Sequence, residues 1–124
     1  MTIRVLLADD DSDLRLSLKW TLDYDGRFAV VGEAGDGEET LRLVQEQQPD
    51  ALVLDLKMPK LDGLAALPKL REAAPEMKIV VWSGVRIERQ ALLNSGADEV
   101  LEKVGENRSV ATKLAELCSN KVES

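Results

Sequence analysis

The segment Leu52-Val53-Leu54-Asp55-Leu56-Lys57-Met58-Pro59 carries an apolar, strand-like run into a single carboxylate, and a proline then ends it. Open α/β sheets place their chemistry just outside the C-terminal ends of parallel strands. Asp55 is therefore the first candidate for a functional residue.

Three other strand-like runs also end in polar residues. They cover residues 3–8, 79–82 and 99–102. If the strands are parallel neighbours, their C-terminal ends share one edge of the sheet, so carboxylates, a hydroxyl and an ammonium should converge there. The polar residues that follow these runs are Asp9, Asp10, Asp11, Ser83 and Lys103.

Apolar runs of strand length alternate with segments of helical period along the whole chain. This alternation is typical of βα units and predicts a parallel sheet with helices on both faces, a doubly wound α/β fold. Five strands are expected, near residues 3–8, 28–34, 51–55, 78–83 and 98–102.

Local signals predict the helix ends. Ser12 is the expected N-cap of the first helix, and the neighbouring acids Asp11 and Asp13 favour its positive end. Pro68 lies inside the third helical pattern and removes a backbone donor, which predicts a late start or a kink. Gly96 is the expected stop of the fourth helix.

The charge balance narrows the classes of partner. The chain has 16 Lys and Arg against 23 Asp and Glu, a formal net charge of −7. Binding to nucleic acid needs clustered cations, so direct contact with a phosphate backbone is not expected. The chain also has no histidine, which excludes histidine metal sites, histidine-based triads and a role as a phosphohistidine donor.

The remaining composition indicates one cytoplasmic domain. The lone cysteine, Cys118, falls on a helical apolar stripe and is interpreted as a packing residue. The N-terminus shows no signal-peptide pattern, and no apolar run approaches the roughly 20 residues that span a bilayer. No linker divides the chain, so residues 1–124 are expected to form one domain, with any output domain outside this chain.

Together these residues resemble the receiver domain of two-component response regulators over essentially the whole chain. The resemblance implies a flavodoxin-like five-stranded sheet of order 2-1-3-4-5 with five helices. It also implies phosphorelay signalling, in which a sensor histidine kinase phosphorylates the domain and partner binding then changes. The motif residues are Asp9, Asp10, Asp55, Met58, Pro59, Asp62, Gly63, Ser83 and Lys103.

The resemblance further implies a magnesium site and a phosphoacceptor. Asp55 would take the phosphoryl group, and Asp10 and Asp55 would bind Mg²⁺ directly. Asp9 would bind it through water, and the backbone carbonyl of Lys57 would complete the protein ligands. Oxygen ligands of this kind suit magnesium. The domain would act only on itself, by self-phosphorylation and slow hydrolysis, and would not be an independent enzyme.

Ser83 and Lys103 are implied to contact phosphoryl oxygens and stabilise the charge that grows during transfer. Two positions depart from the family. Receivers often carry an aromatic residue where this chain has Val100, which argues against a switch coupled to an aromatic rotamer. Receivers usually have a cis proline where this chain has Val104, and a non-proline cis bond costs about 2.5–4 kcal/mol, so a trans bond is expected.

Two interpretations of the biology are open. Residues 28–37 resemble receivers joined to LuxR-type helix-turn-helix domains, which indicates transcription regulation, and a homodimer on phosphorylation would fit. The alternative is a stand-alone or pseudo-receiver that acts by protein docking through the fourth helix, fifth strand and fifth helix. The exposed part of that fourth helix would present Arg86, Glu88, Arg89 and Gln90.

Two other chemistries are weaker alternatives. The Asp9-x-Asp11 spacing also matches a metal-dependent phosphatase of the haloacid-dehalogenase type, although such enzymes are usually longer. A flavodoxin-like module that binds flavin is disfavoured by the low aromatic content and by loops without phosphate-cradling glycines. If Asp9, Asp10 and Asp55 share one pocket, one of them should bind its proton more tightly than a free aspartate.

Overall fold

Five strands form one parallel sheet in the order β2-β1-β3-β4-β5 in the computed structural model. The structure describes residues 2–60, 63–83, 89–103 and 107–123. The predicted sheet and its order are confirmed, and every predicted strand lies within one residue of its observed bounds. The strands are β1 Ile3–Ala8, β2 Phe28–Ala34, β3 Ala51–Leu54, β4 Lys78–Ser83 and β5 Glu99–Glu102.

Five helices alternate with the strands, as the sequence predicts. Their apolar faces cover both sides of the sheet, which is the doubly wound arrangement. The helices are α1 Ser12–Asp25, α2 Gly37–Gln47, α3 Gly63–Ala73, α4 Arg89–Ser95 and α5 Arg108–Glu123. No helix in the described ranges is long and apolar enough to cross a membrane.

The core has two halves because successive strand residues point to opposite faces of a sheet. On β4, Val80 and Trp82 join the half that contains residues of α1 and α5. Ile79 and Val81 join the other half, which contains residues of α2, α3 and α4. Cys118 is buried in the first half, so its predicted packing role is confirmed.

One prediction about a helix end is wrong, and another is settled in part. Asp11, not Ser12, caps α1: its side chain accepts hydrogen bonds from the backbone N–H groups of Asp13 and Leu14, at 3.0 and 3.2 Å. Of the two effects predicted for Pro68, the late start is absent, because α3 begins at Gly63 and contains Pro68; the kink stays a prediction. Burial of its apolar residues against the sheet outweighs the one backbone bond that proline removes.

Gly96 follows α4 with φ of +129°, a left-handed conformation that glycine adopts without strain. The predicted stop is therefore confirmed. Val104, Arg86 and Glu88 lie outside the described residues, so the predictions that concern them have no structural counterpart. Arg89 is described and is exposed at the start of α4.

Candidate functional site

Strand register places two carboxylates side by side. Ala8 of β1 pairs with Leu54 of β3, so the residues that follow, Asp9 and Asp55, leave the sheet at the same level. The backbone N–H of Asp55 donates to the carbonyl of Ala8 at 2.9 Å. Both aspartates are buried, with 6% and 4% of their surface exposed. Buried carboxylates need partners, because an unpaired buried charge is costly.

Lys103 supplies that partner from the end of β5. Its Nζ lies 2.5 Å from Oδ2 of Asp9 and 3.2 Å from Oδ2 of Asp55. Its backbone N–H donates to the carbonyl of Ser83 at 2.9 Å, which fixes the start of the lysine against the end of β4. The ammonium also lies 5.3 Å from the centroid of the Trp82 ring. The ends of four strands thus meet in one cluster.

The two buried carboxylates are oriented in the same way. Oδ1 of Asp9 accepts the backbone N–H of Asp11 at 2.9 Å, and Oδ1 of Asp55 accepts that of Lys57 at 3.1 Å. Each bond reaches two residues along the chain, a local turn that aspartate favours. Because Oδ1 is used in this way, Oδ2 of each aspartate is the atom that faces Lys103.

The pKa values shift in the directions that this crowding predicts. Burial raises the pKa of Asp55, and the charge of Asp9 adds to the rise, while Lys57 and Lys103 oppose it. Burial alone would lower the pKa of Lys103, but its hydrogen bonds to Asp9 and Asp55 and the charges of both carboxylates together outweigh burial and raise the pKa. Asp55 is therefore the carboxylate with the tighter proton binding that the sequence predicts.

The geometry fits a divalent cation. Asp9, Asp10 and Asp55 each offer a carboxylate oxygen, and these atoms lie within 4.8 Å of one another. Asp10 is exposed, whereas the other two are buried, so the group opens to solvent on one side. Magnesium takes oxygen ligands and keeps several waters, which suits a half-open set of carboxylates.

The other predicted site residues lie at the same edge. Ser83 is buried at the end of β4. Lys57 has an exposed side chain, and its backbone N–H contacts Asp55, which places its main chain at the site. Asp62 of the predicted motif lies outside the described residues. The structure therefore brings together the acidic group, Ser83, Lys103 and the backbone of Lys57.

Two residues at the site were not predicted from the sequence. Arg15, one turn into α1, donates to the backbone carbonyl of Asp9 and pairs with Oε1 of Glu33 at 3.2 Å. Trp82 lies beside the ammonium of Lys103. Two sequence features could have pointed to these residues: Arg15 lies one turn after the cap of α1, and Trp82 comes immediately before Ser83 at the end of β4.

Comparison with known proteins identifies the family. The sequence model of the response regulator receiver domain family matches residues 5–115 of this chain. The chain belongs to the response regulator receiver domain family. Members of this family act in two-component signalling, interact with sensor histidine kinases and bind Mg²⁺ at an acidic pocket. The receiver resemblance predicted from the sequence is thereby confirmed.

The similarity between this chain and individual relatives covers only a part of each relative. The chain is 41% identical to the response regulator MprA of Mycobacterium ulcerans over 83% of this chain and 44% of that protein. It is 48% identical to a protein-glutamate methylesterase/protein-glutamine glutaminase of Maricaulis maris over 64% of this chain and 20% of that protein. This receiver therefore corresponds to less than half of either relative.

A solved structure supports the resemblance to LuxR-type receivers. The LuxR-family two-component response regulator of an Aurantimonas species superimposes with a TM-score of 0.84 at 25% identity, covering 96% of this receiver and 87% of that chain. The phosphatase alternative lacks support from the geometry, because the Asp11 side chain caps α1. The flavin-binding alternative has no support from the family match.

Proposed function

We propose that this receiver accepts a phosphoryl group on Asp55 from a sensor histidine kinase and then changes its affinity for a partner. The observation that carries the proposal is the position of the Lys103 ammonium, within 3.2 Å of Asp55 and closer still to Asp9. A cation held against a buried carboxylate offers charge stabilisation where a phosphoryl group would arrive. We assign Asp55, Ser83 and Lys103 as the catalytic residues.

In the transfer step, a carboxylate oxygen of Asp55 attacks phosphorus and the P–N bond of the donor phosphohistidine breaks. The donor imidazole leaves with the electron pair and takes a proton from solvent, and an acyl phosphate forms on Asp55. Lys103 stabilises negative charge on one phosphoryl oxygen, and the hydroxyl of Ser83 donates to another. Hydrolysis returns the carboxylate when water attacks phosphorus.

The reaction depends on Mg²⁺ in this proposal. Asp9, Asp10 and Asp55 would hold the ion together with the backbone carbonyl of Lys57. When bound, the ion supplies positive charge that offsets repulsion between the carboxylates and an incoming phosphoryl group. Arg15 supports the acidic group from α1, because its guanidinium holds the backbone of Asp9.

We also propose that residues 1–124 form a single receiver domain and that its output is transcription regulation. The family match over residues 5–115 and the likeness to a LuxR-family regulator support these proposals. The net charge of −7 argues against direct contact between this domain and DNA. A homodimer formed on phosphorylation would be detected by sedimentation of the phosphorylated protein.

Intact mass after incubation with acetyl phosphate tests the assignment. We expect a phosphoryl adduct that requires Mg²⁺ and is absent in Asp55→Asn. Asp11→Asn is the matched control, because asparagine is an equally good helix cap and Asp11 lies outside the catalytic set. That variant should keep the adduct.

The outcome that contradicts the proposal is equally direct. A folded protein that binds Mg²⁺ but gains no phosphoryl group from acetyl phosphate or from a kinase would not be a phosphoacceptor. The docking-only alternative would then replace it. An adduct that persists in Asp55→Asn would place the acceptor on another residue.

A further inference from the structure

Trp82 contacts the site but has no role in the transfer described above. It is the residue before Ser83 on β4, and 7% of its surface is exposed. Its ring centroid lies 5.3 Å from Nζ of Lys103. An ammonium within about 6 Å of an indole ring is attracted by the ring quadrupole, and indole is the strongest of the aromatic partners. The contact is thus of the right length and type for a cation–π interaction.

Lys103 needs a restraint of this kind. A lysine ammonium sits on a flexible stem of four carbons and does not define its own direction. Lys103 also follows the four-residue strand β5, which lies at the edge of the sheet. Its aim at the phosphoryl group must therefore come from the side chains around it.

Two of those side chains are Asp9 and Asp55, whose attraction depends on their charge. Both are also proposed ligands of a divalent cation, and one of them is the proposed phosphoacceptor. The hold of these carboxylates on the ammonium weakens when a cation shares their charge, or when the carboxylate of Asp55 becomes part of an acyl phosphate. The attraction of the Trp82 ring does not depend on the charge of either carboxylate.

We infer that Trp82 is a positioning residue that holds the Lys103 ammonium at the phosphoacceptor site through its indole face. The inference rests on the proposed function, because it assigns Trp82 to the same transfer step. Trp82 acts through Lys103 and touches no reacting atom itself.

A packing role makes a different prediction, because Trp82 also belongs to the core between the sheet and the helices α1 and α5. Replacement by leucine removes more volume than replacement by phenylalanine, and only phenylalanine keeps a ring face. A packing role would therefore lower the stability of both variants and would act whether or not Lys103 is present. The positioning role also ranks them, with tryptophan best, phenylalanine intermediate and leucine worst, but its effect on the rate requires Lys103.

The kinetic test measures the rate of adduct formation from acetyl phosphate. We expect Trp82→Leu to slow it by about three- to tenfold and Trp82→Phe by less, with Mg²⁺ affinity changed by less than about twofold. In a Lys103→Met background, Trp82→Leu should cause no further loss. An equal loss with and without Lys103, or equal rates for the phenylalanine and leucine variants, would overturn the inference.

A spectroscopic test needs neither metal nor phosphate. Protons of the Lys103 side chain that lie over the indole ring should have upfield-shifted NMR signals, and these should move toward ordinary lysine values in Trp82→Phe and Trp82→Leu. Trp20→Phe is the control, because Trp20 is exposed on α1 and should leave them unchanged. Ordinary Lys103 shifts in the unmodified protein would overturn the inference.

The two tests separate this inference from the proposed function. If the unmodified protein forms no adduct but Lys103 shows the ring shift, phosphoacceptance fails and the contact between Trp82 and Lys103 stands. If the adduct forms and neither test depends on Trp82, the receiver chemistry stands and the positioning role is wrong.

Discussion

Replacing Lys103 with methionine removes the only cation that contacts both buried carboxylates among the described residues. Asp9 and Asp55 would then face each other without compensation. We expect the free energy of unfolding of the metal-free protein to fall at neutral pH. Methionine keeps much of the apolar stem, so the change isolates the charge.

The size of the loss follows from burial. The side chains are 14% exposed for Lys103, 8% for Asp9 and 5% for Asp55, so water screens the cluster weakly. Removing one partner of a buried ion pair costs about 3–5 kcal/mol. We expect about 3 kcal/mol here, the lower end of the range for buried pairs, because Lys103 keeps some contact with solvent. In a domain of this size the melting temperature should fall by roughly 10 °C.

Urea unfolding followed by circular dichroism, with EDTA and with excess Mg²⁺, measures the effect. Mg²⁺ should restore much of the loss, because a ligand that binds only the folded state stabilises it. Lys113→Met is the matched control. Lys113 pairs with Glu99 and Glu116 at 3.6 and 3.0 Å but lies at the surface, where water screens the pair, so its loss should be much smaller than that of Lys103→Met.

Asp9→Asn supplies the decisive comparison. If the instability of Lys103→Met comes from two opposed carboxylates, removing one charge in the same protein should recover part of the loss. An unchanged loss in that double variant, or a loss in Lys103→Met no larger than in Lys113→Met, would refute the charge argument.

Three further variants test neighbouring contacts. Asp55→Asn should stabilise the metal-free protein at neutral pH, because the raised pKa of Asp55 reflects a buried charge that the fold disfavours. When urea unfolding is measured across pH, this gain in stability should shrink as the pH falls through the raised pKa toward 3.8. A gain that stays constant with pH would contradict this reasoning. Arg15→Met should cost about 1–2 kcal/mol in the same assay, because the carbonyl of Asp9 loses its charged donor; no loss would remove the support role of Arg15. Glu99→Gln should cost about 1 kcal/mol or less at neutral pH, since Glu99 pairs with Arg89 and Lys113. Burial alone would raise the pKa of Glu99, but the hydrogen bonds from Arg89 and Val100 and the charges of Arg89 and Lys113 together outweigh burial, so the pKa lies below 4.5. The cost should vanish as pH falls through that pKa.

The sheet and the acidic half of the site were predictable because they rest on local signals. Apolar runs of strand length give the strands, and the residue after each run gives the strand-end chemistry. Asp9, Asp55, Ser83 and Lys103 all occupy such positions, so the topology alone brings them to one edge. The magnesium ligands and the roles of individual residues came from the family resemblance and remain proposals.

The features that the sequence did not predict correctly have physical causes that a sequence pattern does not show. Asp11 and Ser12 are both good caps, and the backbone path after Asp9 decides that Asp11 caps α1. Pro68 inside α3 breaks a local rule, and burial of the helix face against the sheet overrides it. The contact of Trp82 with Lys103 joins neighbouring strands through side-chain direction, which spacing along the chain does not specify.

The order of the strands also lets the acidic residues of the site, Asp9 and Asp55, move less freely than Lys103. Asp9 and Asp55 follow β1 and β3, interior strands that are paired on both sides, so the distance between their backbones cannot change without breaking ladder hydrogen bonds. Lys103 follows β5, a four-residue strand at the edge with one paired neighbour and no fully buried residue. Among the described residues of the site, chemistry on the rigid pair Asp9 and Asp55 can therefore displace Lys103 more easily than either aspartate, and we expect the signal to leave the site through β5 and the helices beside it.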